Sequence, residues 1–145
     1  MAVDVVTQIT ITKSTEVVSA FAGDPTNAPR WYKNIDSVEW RTDPPVIVGS
    51  KVAFVAHFLG RRLSYTYEIT ELIPGERLMM RTAEGPFPME TTYTWTNVDG
   101  STLMTLRNRG EPSGFSKVAA PVMASAIRRA NRKDLVNLRA LLESS

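Results

Sequence analysis

The sequence contains no cysteine and a single histidine, His57. Disulfides and thiolate nucleophiles are excluded, and a zinc site lacks ligands. No metal or cofactor is therefore expected. Excess charge of one sign is scarce too: 17 Lys and Arg against 15 Asp and Glu leave a net +2. Nucleic-acid binders concentrate positive charge in a patch. Here the basic residues gather only on the outer face of a C-terminal segment, so nucleic acid is not an expected partner. No apolar run reaches the length of a membrane span, and the N-terminus lacks the basic-then-apolar order of a secretory signal. A cytoplasmic protein without stable membrane insertion is the expectation. Repeats and low-complexity linkers are also missing. The 145 residues, 43% of them hydrophobic, read as one domain with a sizeable core.

What is present is dominated by one long amphipathic segment, Ser113 to Glu143. At about 100° per residue, Met123, Ile127, Ala130, Leu138 and Leu141 share a narrow stripe, with Ala119, Ala120 and Leu142 widening it. Arg128, Arg129, Arg132 and Arg139 lie off that stripe. Pro121 lacks an amide donor, so Ser113–Ala119 is expected to be a kinked or broken first segment. Two features bear on function. The stripe is rich in alanine (Ala119, Ala120, Ala124, Ala130), which brings the helix close to its partner or leaves a cavity. It also carries Asp134 near its centre and Asn131 at its edge, polar groups that need a partner or water. A partly solvated place at a cavity mouth would satisfy both.

The remainder is strand. Val3, Val5, Thr7, Ile9 and Ile11 alternate with polar residues as a half-buried strand does. A hydroxyl cap at Ser14 or Thr15, with Val17, Val18 and Phe21 as an apolar face, reads as a short helix ending at Gly23. Asp24-Pro25 opens a second short helix that Pro29 limits, with Arg30-Trp31-Tyr32-Lys33 as its exit. From Asp36 onward six strands follow at hairpin spacing, roughly Ser37–Thr42, Val52–Phe58, Leu63–Thr70, Arg77–Thr82, Met89–Thr96 and Leu103–Arg109. Asp99-Gly100 is the clearest hairpin signal. Alternating strands need one covered face, and only the last helix is large enough to cover it. The fold class is therefore α+β: a curved antiparallel seven-stranded sheet wrapped around a long C-terminal helix, with two short helices after strand 1.

This order of elements resembles the START-like, or SRPBCC, superfamily, in its polyketide cyclase and dehydrase branch with the helix-grip fold of birch-pollen allergens. The likeness is carried by Thr15-Glu16-Val17-Val18, Asp24-Pro25 with Trp31, and Val48-Gly49-Ser50. It continues through Glu71-Leu72-Ile73-Pro74-Gly75-Glu76-Arg77-Leu78, Gly100-Ser101-Thr102, and Asp134-Leu135 to Leu141-Leu142-Glu143. It runs nearly end to end. The resemblance implies an apolar or aromatic ligand between sheet and helix; the fold also hosts lipid carriers, receptors, cyclases and chaperone activators.

Strand parity turns Phe54, Tyr65, Tyr67 and Met80, with Tyr93, Trp95, Met104 and Leu106, toward Met123, Ile127 and Ala130. With Trp31, Asn131 and Asp134 these are the candidate ligand-binding residues. The ordinary alternative is that the aromatics fill the core. Tyrosine and tryptophan offer apolar area with a polar tip that can orient a ligand. A cyclase or dehydratase would need a general acid or base and a donor for a developing enolate. Tyr65, Tyr67, Tyr93 and Asp134 are the catalytic candidates, with Asn108 or Asn131 as hydrogen-bonding groups. His57 falls on the outward parity of its strand, and no triad or paired-carboxylate site is visible. Trp31, Tyr32 and Phe87 are candidates for an apolar gate or for packing on the short helices. Arg107 and Arg109 are expected to pair across strands with Glu90 or Glu68. The expected function is binding or carriage of a small hydrophobic or aromatic molecule by a monomer or homodimer. A polyketide cyclase or dehydratase and a protein-interaction module are the alternatives.

Overall fold

The structure is a computed structural model that describes residues 2–111 and 120–144. Seven strands form one antiparallel sheet: β1 (Val3–Ile11), β2 (Ile35–Trp40), β3 (Lys51–Phe58), β4 (Arg61–Ile73), β5 (Arg77–Glu84), β6 (Met89–Val98) and β7 (Ser101–Gly110). Their spatial order is β1-β7-β6-β5-β4-β3-β2. From β2 to β7 each strand lies beside its successor, as short turns dictate. At Asp99-Gly100 both residues have positive φ, 51° and 85°, the requirement of the tight turn whose twist matches its strands.

The one long connection runs from β1 to β2, at opposite edges of the sheet. It is made by α1 (Thr15–Ala22), a 3₁₀ turn at Pro25–Asn27, and α2 (Ala28–Trp31). Ser14 caps α1 by accepting from the Val17 N–H at 3.3 Å, and Asp24 accepts from the Thr26 N–H at 3.0 Å. Two expectations are corrected here. Val17 is exposed while Val18 and Ala22 are buried, so α1 presents a face rotated from the expected one. Pro29 stands in the first turn of α2 and opens it rather than limiting it, because a first-turn residue has no intrahelical use for its N–H. Gly23 ends α1 for reasons of space: its φ is −81°, and a Cβ there would lie 2.6 Å from the Ser19 carbonyl oxygen.

Inward parity follows the alternation along β1 and β3, where Val3, Val5, Val52, Phe54 and Ala56 are buried. In β4 the pairing with β5 shifts between Ile69 and Glu71. That bulge returns Leu72 to the concave side, against the core, and leaves Glu71 to pair with Arg77 outside. Bulges of this kind sharpen the local twist and help the sheet to curl. On the outer face Arg107 pairs with Asp4, and Arg109 with Glu90; His57 faces outward and pairs with Asp36.

The long helix α3 spans Ala120–Glu143 and packs along β1 within the curl. Pro121 lies in its first described turn, whereas the expected kinked segment Ser113–Ala119 lies outside the described residues. The buried arc is Met123, Ile127, Asn131, Asp134, Leu135, Leu138 and Leu142, centred on Leu138. Ala130 and Leu141 sit at its edge, and Asn131 lies well inside it.

A tyrosine-lined cavity beneath the long helix

The two halves of α3 meet the sheet differently. Leu135, Leu138 and Leu142 join one continuous core with Trp31, Trp95, Met104 and Leu106, all nearly inaccessible. Toward the N-terminal end the arc carries Met123, Ile127, Ala130 and Asn131, and there Met123 and Ile127 pack with Val3, Val5 and Leu63 in a second cluster. A cavity of about 170 Å³ remains between α3, α2 and the concave face of β3–β7. An engineered cavity of about 150 Å³ takes up benzene, so this one has room for a substituted aromatic ring.

All four tyrosines of the chain, Tyr32, Tyr65, Tyr67 and Tyr93, line the cavity. Tyr65, Tyr67 and Tyr93 arrive by strand parity from β4 and β6, whereas Tyr32 comes from the exit of α2. Tyr65 and Tyr67 stand edge to face with ring centroids 5.1 Å apart, and Phe54 lies within 6.0 Å of both. The Tyr32 and Tyr93 hydroxyls are 2.6 Å apart. Deeper in the sheet, Thr91 donates to Asn108 Oδ1 at 2.8 Å. Its single proton being used, the hydrogen bond of 3.3 Å to Tyr67 is donated by the tyrosine. Burial raises the pKa of all four phenols, for Tyr32 with a further contribution from the Tyr93 hydroxyl and the Asp134 charge. They are hydrogen-bond donors at any physiological pH.

Asp134 is the one carboxylate among the described cavity-lining residues, and it is 2% exposed. Its Oδ1 accepts from the Lys33 backbone N–H at 3.0 Å. Burial lifts its pKa from 3.8 to about 6, and that hydrogen bond and the nearby Lys33 charge hold it from going higher. Asn131, one turn earlier, is 5% exposed, and its Nδ2 has no hydrogen-bond partner among the described residues. The expected placement of both at a partly solvated mouth is thus corrected: they are enclosed where α3 meets the exit of α2, which Asp134 joins through the Lys33 N–H and Asn137 by donating to the Trp31 carbonyl.

Of the candidate binding residues, the structure brings Phe54, Tyr65, Tyr67, Met80 and Tyr93 together with Met123, Ile127, Ala130, Asn131 and Asp134 around the cavity. Trp31, Trp95, Met104 and Leu106 do not line it and belong to the closed leucine end. Parity puts a side chain on the concave face along a whole strand, but which of those side chains meet the helix and which meet the cavity is decided by the packing of α3. Ala56, Leu63 and Thr91 do line it; they share the parity of Phe54, Tyr65 and Tyr93, and that same alternation marks them. Of the proposed gate, Tyr32 and Phe87 reach the cavity, whereas Trp31 is fully buried behind Tyr32, ring centroids 3.9 Å apart. Among the described residues no cluster of three metal-ligating side chains exists, and no helix is long and apolar enough to cross a membrane.

Residues 2–143 match the family described as polyketide cyclase / dehydrase and lipid transport. The chain belongs to that family. Known structures agree on the fold of this polyketide cyclase / dehydrase family member. A START superfamily protein from Mycobacterium smegmatis superposes with a TM-score of 0.83 at 14% identity, covering 97% of both chains. The Zhui aromatase/cyclase from Streptomyces sp. R1128 gives 0.80 at 15% identity, over 99% of this chain and 94% of that one. The major latex-like protein 151 of Panax ginseng gives 0.76 at 17% identity, over 96% of each. Identities this low establish a shared architecture alone. No curated protein matches the chain by sequence.

Proposed function

We propose that this family member binds and carries, or senses, a small aromatic molecule in the cavity beneath α3. The observation that carries the reading is the cavity of about 170 Å³ beneath α3, lined by all four tyrosines and by Ala130. A packed core seldom retains a space of that size. The walls are apolar with a few convergent polar groups, the usual make-up of a small-molecule site. The test is native mass spectrometry of the protein purified from cells, together with Ala130→Leu. The wild type is expected to retain an apolar guest. The variant, with its larger side chain projecting into the cavity, is expected to lose it while unfolding at a similar temperature. Unimpaired retention by the variant would show that the guest lies elsewhere.

A second reading, a cyclase or dehydratase, is favoured by one observation. Asp134, whose pKa burial pushes up to about 6, lines the same cavity as the hydrogen-bonded Tyr32 and Tyr93 hydroxyls, so a proton acceptor and donors share it. No nucleophile is activated there, and the chemistry open to the site is proton transfer on a bound carbonyl compound.

A further inference from the structure

The polar groups of the cavity are unevenly matched, and the mismatch describes the guest. Two hydroxyls that share one hydrogen bond use one proton, so the Tyr32–Tyr93 pair has an O–H to spare. The Asn131 amide nitrogen is buried on the cavity wall and makes no hydrogen bond with any described residue, and the Tyr65 hydroxyl belongs to a side chain that lines the same cavity. An amide can turn about its last torsion to present N–H into the cavity. Donor hydrogens are therefore to spare on the wall formed by α3, α2, β4 and β6. A buried donor without a partner is costly, and a guest oxygen placed among them relieves that cost. The charges point the same way. Neither lysine nor arginine is among the described lining residues, the only carboxylate there is Asp134, and His57 is engaged by Asp36. Lys33, which binds Asp134 through its backbone, has its side chain exposed. A carboxylate guest would enter without a counter-ion and beside a like charge.

We propose that the guest is an uncharged aromatic compound carrying a carbonyl oxygen, held by the Asn131 amide and the Tyr65 hydroxyl, and that carboxylates such as free fatty acids and aromatic acids are rejected. This rests on the reading of the cavity as a binding site and specifies its ligand. Three probes of nearly equal size separate the two claims in NMR titrations of the intact protein: acetophenone, ethylbenzene and benzoate. Acetophenone is expected to bind about five- to tenfold more tightly than ethylbenzene, the factor a neutral hydrogen bond brings, and benzoate more weakly than either. In Asn131→Leu the advantage of acetophenone should shrink while ethylbenzene binds at least as well, since the substitution removes an unpartnered polar group. Tyr65→Phe should lower acetophenone affinity alone and serves if the Leu variant folds poorly. Equal binding of acetophenone and ethylbenzene to the wild type, or tightest binding of benzoate, overturns the ligand assignment and leaves the cavity reading intact. An advantage of acetophenone unchanged in both variants also overturns it. Failure of all three probes to bind overturns the cavity reading, and the ligand assignment with it.

Discussion

Replacing Asp134 by asparagine should make the protein more stable at neutral pH, an unusual outcome for a buried charged residue. The carboxyl group ordinarily titrates at 3.8 and in the folded chain at about 6. The folded state therefore binds more protons than the unfolded one between these values, and stability falls as pH rises through that window. Above about pH 6 the full cost remains, roughly 3 kcal/mol at 1.36 kcal/mol per pH unit. An asparagine side chain at this position is neutral throughout, so the variant D134N escapes this cost. Its side-chain oxygen can still accept from the Lys33 N–H, and the strength of that bond to the carboxylate is already contained in the shift to about 6. The net gain is about 3 kcal/mol at pH 7.5, or an upward Tm shift of about 6–12 °C for a chain of this size. Urea unfolding of both proteins between pH 3 and pH 8 measures it. The difference in stability should be small or slightly negative at pH 3 and should grow between pH 4 and pH 6. Asp4, lowered by its hydrogen bond to Arg107, and Glu143, lowered by the Thr12 N–H, bend the individual curves the other way. They are common to both proteins and drop out of the difference. A flat difference curve, or a variant weaker than wild type at pH 7.5, would refute the claim that burial governs Asp134.

Two further predictions concern the site and its frame. Tyr93→Phe strips the Tyr32 hydroxyl of its partner 2.6 Å away and is expected to cost about 1 kcal/mol in chemical denaturation with the fold retained; a carrier keeps binding its guest, whereas a cyclase that uses this pair loses turnover. Gly110→Ala places a Cβ 2.2 Å from the Pro88 carbonyl oxygen and 2.6 Å from Met89 Sδ, where β7 pairs with both β1 and β6. That crowding is backbone-bound, so a loss of about 1–3 kcal/mol in thermal unfolding is expected, and an unchanged Tm would mean the strand end closes differently.

Much of the architecture is legible in local chemistry. Ser14 and Asp24 cap the elements after them, Asp99-Gly100 turns a hairpin, and the alternation around Phe54, Tyr67 and Tyr93 assigns each to the concave face. These are decided by neighbours within a few residues, where backbone geometry leaves few choices. The bulge after Ile69 was not legible, because Thr70 differs in no way from a residue that keeps its register. Nor was the part played by Tyr32, which has no periodicity to mark it and reaches Tyr93 only through the course of α2.

By itself the sequence determined the elements, their faces and an alanine-lightened helix, because those follow from periods of two and 3.6 residues. Tertiary structure alone decided where along that helix the layers meet and where they part. Tertiary packing closes Leu135, Leu138 and Leu142 on Trp31 and Trp95 in one cluster, and Met123 and Ile127 on Val3, Val5 and Leu63 in another, and leaves a cavity beside Ala130. It also encloses Asp134 and Asn131. A stripe on a helical projection shows which side is inward; the distance to the opposing wall is a property of two surfaces together.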